Sequence, residues 1–311
     1  MKIYRKVSEF PALQHTILTS GTFDGVHLGH QKIIQHVVDL KKQNPKAQTV
    51  VLTYHPHPRL VLFPEQKDLK ILTTLEEKAI LLEDLGIDHL CVLPFTKRFA
   101  STSSENFIKK IIQQKLQTRQ FVIGYDHRFG KNREGGFEYL KENENRFGFK
   151  VEEISRQDID NNAISSTRIR KALFDGDIET ANELLGYEFS ITGKVVKGKQ
   201  IGRTIGYPTA NLKLEDKHKL IPKQGIYAVR VYHKYEYYGG MLSIGVRPTI
   251  GRNLKQTIEV NIFDFDKDIY DKNITLQFVK YLRSEEKYNS LDELKAQLAK
   301  DKIESEEVLK V

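Results

Sequence analysis

Gly21-Thr22-Phe23-Asp24-Gly25-Val26-His27-Leu28-Gly29-His30 joins an apolar, β-branched run to an amphipathic one. Upstream, 15–20 (HTILTS) reads as a strand. Downstream, 31–42 places Ile33, Ile34, Val37, Val38 and Leu40 mostly on one side of a helix, with lysines and glutamines opposite. The ten residues therefore form a strand-to-helix turn, where the first backbone N–H groups lack partners and the helix dipole is positive. Glycine lets a ligand come close to the backbone. His27 and His30, three apart in the first turn, can point the same way. Such a turn suits phosphate. A glycine-rich turn before a helix is common and a lone histidine pair is usually solvated, but the whole string is far more specific than either part.

Outward from this turn, strand and helix alternate. Segments 49–54, 88–93, 120–124 and 149–154 read as strands; 74–85, 103–116 and 136–146 read as helices. That alternation predicts a doubly wound parallel sheet with helices on both faces. Ligands in such sheets bind at the carboxyl ends of strands, where the histidine turn lies. Three later stretches are expected at the same edge. In Thr53-Tyr54-His55-Pro56-His57-Pro58-Arg59, His57 and Arg59 either face an anionic substrate or belong to a proline-stiffened surface loop. In 124–133 (GYDHRFGKNR), Asp126, Arg128 and Phe129 combine an acceptor for a flavin or adenine edge with a cation and a ring. In 164–173 (ISSTRIRKAL), Ser165, Ser166 and Thr167 can cap the following helix or bind phosphate oxygens, and Arg170 adds a bidentate positive fork.

With these stretches in place, HxGH followed by ISSTRIR resembles the nucleotidylyltransferase superfamily. The resemblance implies that His27 and His30 contact a triphosphate and steady charge at the transferring phosphorus. It also implies ATP contacts from Gly21, Phe23, Asp24, Gly29, Ser165, Ser166, Thr167 and Arg170. Adenylyl transfer fits this inventory: an incoming phosphate is already ionised, so positioning and charge stabilisation suffice without a strong base.

At 311 residues the chain has room for two domains with separate cores. One cysteine, Cys91, rules out an intramolecular disulfide framework, and its apolar setting DHLCVLPF predicts a buried, unreactive thiol. The N-terminal MKIYRKVSEF lacks the apolar segment of a signal peptide, and no run approaches the length of a membrane span, so a soluble cytoplasmic protein is expected. A net charge of +8 favours anionic partners. Nucleotides meet that need, and the lysines are scattered, so no nucleic acid, membrane or obligate protein partner is expected.

Near Gly186 the pattern changes. The helical segment 174–185 closes the first half; 188–196, 225–232, 235–244, 257–265 and 274–281 are alternating and aromatic-rich, predicting a small antiparallel barrel. Segment 290–300 reads as a helix that Ser290 can cap. The domains expected are 1–186 and 187–311. The stretch 198–211 (GKQIGRTIGYPTAN) supplies Gly198, Lys199, Gly202 and Arg203 and ends in PTAN, but it is not a Walker A loop. If extended, Thr209 and Asn211 face one side, and their oxygens are hard ligands suited to magnesium. Taken alone, the segment reads equally as a polar turn. In 257–265 (TIEVNIFDF), Glu259 alternates with apolar Ile258 and Val260 and so lies on the polar face.

GxxxGRTxGxPTAN followed by ExNxxDF resembles riboflavin kinase, and with HxGH and ISSTRIR in front the whole chain resembles the bifunctional bacterial riboflavin kinase/FMN adenylyltransferase (FAD synthetase) family. The resemblance implies that Thr209 and Asn211 hold Mg²⁺, that Glu259 takes the proton from the ribityl hydroxyl, and that Gly198, Lys199, Gly202, Arg203, Arg283 and Glu286 serve ATP and flavin in the kinase half. It implies ATP as substrate of both steps, with riboflavin, FMN, FAD, ADP and pyrophosphate as partners. His127, Ser243, Asn261 and Tyr288 depart from the family pattern. The alternatives are a kinase with an inactive first half, disfavoured by the retained His27, His30, Ser165, Thr167 and Arg170, and a non-catalytic flavin- or RNA-binding regulator, disfavoured by the retained Glu259 and PTAN.

Overall fold

The computed structural model describes residues 1–66, 69–155, 164–198, 201–248 and 254–310. Its contacts divide the chain into two compact units, Met1–Ser166 and Thr167–Val311.

The first unit carries strands β1 (Lys2–Tyr4), β2 (Thr16–Ser20), β3 (Gln48–His55), β4 (His89–Pro94), β5 (Thr118–Gly124) and β6 (Lys150–Ile154). They form one sheet in the order β1-β4-β3-β2-β5-β6, with every neighbouring pair parallel. Both faces are covered, which explains the near-continuous apolar strands. Leu18, Val50, Leu52 and Cys91 pack on one face; Ile17, Val51, Leu90 and Val92 pack on the other. The helix Leu28–Gln43 buries Ile33, Ile34 and Val37, each adding about 1.5–3 kcal/mol of hydrophobic stabilisation. The chain runs from β2 outward through β3 and β4, then returns to β2's other side with β5. The β2/β5 boundary is thus a topological switch point, where such sheets open a ligand crevice.

Expected helices are interrupted in two places. Segment 103–116 begins as an α-turn, Ser104–Phe107, then widens into a π-helical stretch, Ile108–Gln113. Segment 136–146 divides at Asn143 into Phe137–Glu142 and Glu144–Phe147. Strand β1 was not foreshadowed: three residues are too few for a periodic signal.

In the second unit the helices Ser166–Asp175 and Ile178–Leu185 precede the barrel, the latter opened by the Asp177 carboxylate accepting from Thr180 N–H. The Asn182 amide donates to the Phe278 carbonyl and its oxygen accepts from Phe189 N–H, tying this helix to the barrel strands. Strands β7 (Ser190–Val196), β8 (Ala210–Lys213), β9 (Gly225–His233), β10 (Glu236–Pro248), β11 (Leu254–Ile262) and β12 (Asn273–Arg283) close in the order β10-β11-β8-β7-β12-β9, antiparallel throughout. Closure leaves no open edge. Phe189, Tyr227 and Phe278 are fully buried in the barrel unit. The helix Leu291–Leu309, capped by Ser290, is longer than 290–300 and packs with Leu298, Val308 and Leu309 against Ala228, Met241 and Phe263. No helix among the described residues is long and apolar enough to cross a membrane.

Two candidate active sites

The first site lies at the β2/β5 switch. His27 caps the helix Leu28–Gln43, its Nδ1 accepting from His30 N–H at 3.4 Å. The two imidazoles stack with centroids 3.6 Å apart and planes 16° from parallel, and Phe23 meets His30 edge-on. Burial, then the neighbouring His27 and Lys78, hold the His30 pKa well below the ordinary histidine value, so its ring is neutral at pH 7. Phe23 and Val26 adopt positive φ of 44° and 37°, conformations that bulky and β-branched residues avoid. Other contacts hold this strained turn. The Asp24 carboxylate accepts from Leu72 and Thr73 N–H, Thr73 Oγ1 accepts from Gly25 N–H, and Ser166 Oγ donates to the Asp24 carbonyl.

His30, Gly21 and Phe23 open onto a cavity of about 720 Å³ that Asp126, Arg128 and Phe129 also line. Tyr54, Phe95, Phe99, Phe107 and Phe129 form a chain of ring contacts along its wall. Lys97, Lys131 and Arg133 bring positive charge to it. Gly130 has φ +76°, and a side chain there would strike Ser104 Oγ, so only glycine lets the 124–133 loop close on this wall. His127 reaches across the switch: its Nε2 lies 3.1 Å from Ser20 Oγ, joining the ends of β5 and β2.

Other expected residues stand elsewhere. Asp24 turns its carboxylate inward to the 72–73 backbone; Gly29 and His27 lie behind His30 rather than in the cavity lining. His57 caps the short helix Pro58–Leu62 and Arg59 donates to Gln66, whereas Pro58 and Leu62 line the cavity. Ser165 is exposed, and Thr167 and Arg170 lie on the helix Ser166–Asp175.

The sequence reading missed Lys78. It is 6% exposed, and its Nζ donates to the Thr22 carbonyl at 2.6 Å; Thr53 Oγ1 donates to the same oxygen. The signal was present in TLEEKAILL: Leu75, Lys78, Ala79 and Leu82 form the buried stripe of this helix, and a lysine on such a stripe demands a reason.

The second site is built on three adjacent barrel strands. Glu259 on β11 pairs with Asn211 on β8 and with Ser243 on β10, so the three side chains share one face. Thr209 Oγ1 donates to Glu259 Oε2 at 3.4 Å. A β-carbon on Gly198 would fall 2.3 Å from Asn211 Nδ2, so the glycine lets its backbone lie against that amide. Asn261 holds the proline turn by donating to the Pro208 carbonyl at 2.7 Å. This gathering of two neutral oxygens and one carboxylate fits a small hard cation that keeps phosphate and water as its other ligands.

Thr209 lines a cavity of about 390 Å³ with Arg203 and Tyr270, while Ser243 lines another of about 520 Å³ with Arg283, Glu286 and Leu298. Glu259 therefore neighbours a lining residue of each. Arg283 is not free for a ligand, because its Nε and Nη2 bind both oxygens of buried Asp301 at 2.8 and 2.6 Å. Glu286 accepts from Tyr288, and Glu285, absent from the sequence reading, accepts from Ser243 Oγ at 3.1 Å. Gly202 and Arg203 form the short helix Ile201–Thr204. Lys199 lies outside the described residues.

Comparison with known proteins agrees with both halves. A family model described as FAD synthetase matches residues 10–168, and one described as riboflavin kinase matches 185–309. The curated bifunctional riboflavin kinase/FMN adenylyltransferase of Listeria monocytogenes is 39% identical over 92% of this chain and 90% of its own length. That of Escherichia coli K12 is 38% identical over 94% and 92%, and that of Bacillus subtilis 39% over 93% and 91%. A crystal structure described as a macrolide-efflux protein from Streptococcus pneumoniae superposes with a TM-score of 0.87 at 32% identity, covering 96% of each chain.

Proposed function

The chain belongs to the family of bifunctional riboflavin kinase/FMN adenylyltransferases, and from that premise we propose how its residues divide the two reactions. The family phosphorylates riboflavin to FMN and adenylylates FMN to FAD. We assign the first step to the barrel and the second to the parallel sheet, with a functional boundary at 186/187.

In the barrel, Glu259 takes the proton from the ribityl hydroxyl. The oxygen then bonds to the γ-phosphorus of ATP as the bond to ADP breaks. An alcohol needs this help because it is not ionised at neutral pH. Thr209 and Asn211 hold Mg²⁺, which when bound neutralises charge on the phosphates. Their convergence on Glu259 supports this reading. Arg203 and Gly198 serve the ATP side, with Lys199 assigned by resemblance alone; Glu286 serves the flavin side, and Arg283 shapes it through Asp301.

In the sheet unit, a phosphate oxygen of FMN bonds to the α-phosphorus of a second ATP as the bond to pyrophosphate breaks. His30, with His27 stacked behind it, meets the charge that grows there, and Ser165 and Ser166 add phosphate contacts; Thr167 and Arg170 are assigned to phosphate by resemblance alone. The aromatic wall from Tyr54 to Phe129 offers the flavin ring a stacking surface. ATP as substrate of both steps supports a cytoplasmic setting.

The observation that carries the assignment is the presence in one chain of the stacked His27/His30 pair on its cavity and the Thr209/Glu259/Asn211 cluster. Its test is a chromatographic time course with riboflavin, ATP and Mg²⁺. Wild type makes FMN and then FAD, Glu259→Ala makes no FMN from riboflavin yet converts supplied FMN, and His30→Ala stops at FMN. Failure of Glu259→Ala to convert supplied FMN, or failure of His30→Ala to make FMN from riboflavin, with the fold intact, contradicts the division.

A further inference from the structure

The phosphate turn rests on a buried charge that no reaction step above uses. Lys78 sits on the inner stripe of the helix Leu75–Asp84, whose start is fixed by a reciprocal cap: Thr74 Oγ1 accepts from Glu77 N–H, and the Glu77 carboxylate accepts from Thr74 N–H. Its ammonium donates to the Thr22 carbonyl and lies 3.5 Å from Thr53 Oγ1, itself a donor to Thr22. Lys78 makes no ion pair among the described residues; Asp24, the carboxylate whose charge acts on it, accepts from the 72–73 backbone. Burying a cation without an ion pair is costly, and burial accordingly lowers the Lys78 pKa. The cost falls at one place: Thr22 and Phe23 line the cavity, Phe23 is in the strained left-handed region, and His30 is close enough to feel the lysine's charge.

We propose that Lys78 is a positioning residue for adenylyl transfer: it clamps the Thr22 carbonyl to hold the strained turn in its phosphate-binding shape, and its unpaired charge is balanced when a triphosphate binds. The inference rests on the assignment of the sheet unit as the adenylyltransferase. Thr22 lies between Lys78 and the cavity, so the lysine acts through the turn and through its field rather than by touching ATP. Both actions favour the bound triphosphate. A neutral side chain of equal length loses both; arginine keeps the charge while changing the fit.

The experiment uses the full chain and compares wild type, Lys78→Met, Lys78→Arg and His30→Ala. FAD formation from FMN and ATP and FMN formation from riboflavin are followed in parallel. For Lys78→Met, KM for ATP in FAD formation rises about tenfold or more, the effect expected of losing a charged contact. Riboflavin phosphorylation stays at the wild-type rate, and Lys78→Arg recovers part of the loss. The acid limb of the FAD-formation pH profile also moves upward, because removing a nearby cation lets His30 accept a proton more readily. That shift separates an electrostatic role from mere packing.

Wild-type kinetics in Lys78→Met overturn the proposal. If Lys78→Met fails to fold, the wild-type protein with ¹³C-labelled lysine decides: inorganic triphosphate raises the Lys78 titration midpoint, and an unchanged midpoint overturns the proposal. His30→Ala keeps the two readings apart. If it leaves FAD formation intact, the adenylyltransferase assignment fails; if it abolishes FAD formation while Lys78→Met does not, only the role of Lys78 fails.

Discussion

His127 shows how a single residue sets conditions for a site. Burial, with the Arg133 and Arg128 charges adding to it, pushes its pKa from 6.5 down to about 4. As pH falls, the unfolded chain takes up this proton before the folded one does, so stability is unaffected above 6.5 and lost between 6.5 and about 4. The full loss is on the order of 3 kcal/mol. His127→Phe removes it, so denaturant unfolding should show a smaller drop in stability between neutral and acidic pH for the variant than for wild type. Equal drops would contradict the assignment. At this scale His27 and His30 were legible from their spacing on one turn, whereas Thr209, Asn211 and Glu259 were legible only through the family resemblance, because a polar turn and a solvated strand face explain their spacing equally well. Ser20 and Glu285 were not, since each acquires its role from a contact distant in sequence, Ser20 with His127 and Glu285 with Ser243.

Among elements, a largely buried ion pair joins β12 to the helix Leu291–Leu309, beside the apolar packing of Val279 and Leu282 with Leu298, Val308 and Leu309. Asp301 is 1% exposed, and besides Arg283 it accepts from the Gln297 amide at 2.9 Å. Removing it leaves a largely buried guanidinium unpaired, which costs about 3–5 kcal/mol. Asp301→Ala should lose that much in urea unfolding of the barrel unit and raise KM for riboflavin, because Arg283 begins the loop that carries Glu285 and Glu286. An unchanged KM would mean the pair does not shape the flavin side. The parallel strands other than β1, and the long barrel strands, announced themselves by apolar runs and alternation. Strand β8 did not, because four residues after a proline show no period. The π-helical stretch 108–113 was equally silent: its apolar positions suit an ordinary helix, and Ile108 and Ile112 are buried in the core as an ordinary helix would also bury them.

For the whole molecule, the change from apolar runs to two-residue alternation near Gly186 marked two architectures in the sequence. The helices Ser166–Asp175 and Ile178–Leu185, which the two family models leave largely uncovered, group with the barrel through contacts that no local pattern encodes. Removal of divalent cations with a chelator should stop FMN formation and added Mg²⁺ should restore it; persistence would contradict the role given to Thr209 and Asn211. The central claim is that two independent sites in one chain perform successive steps, with FMN released between them. Mixing Glu259→Ala with His30→Ala in the presence of riboflavin, ATP and Mg²⁺ tests it most directly. The account predicts that FAD forms in the mixture although neither variant makes it from riboflavin alone. Absence of FAD from the mixture, with each variant still performing its own half-reaction, would contradict it.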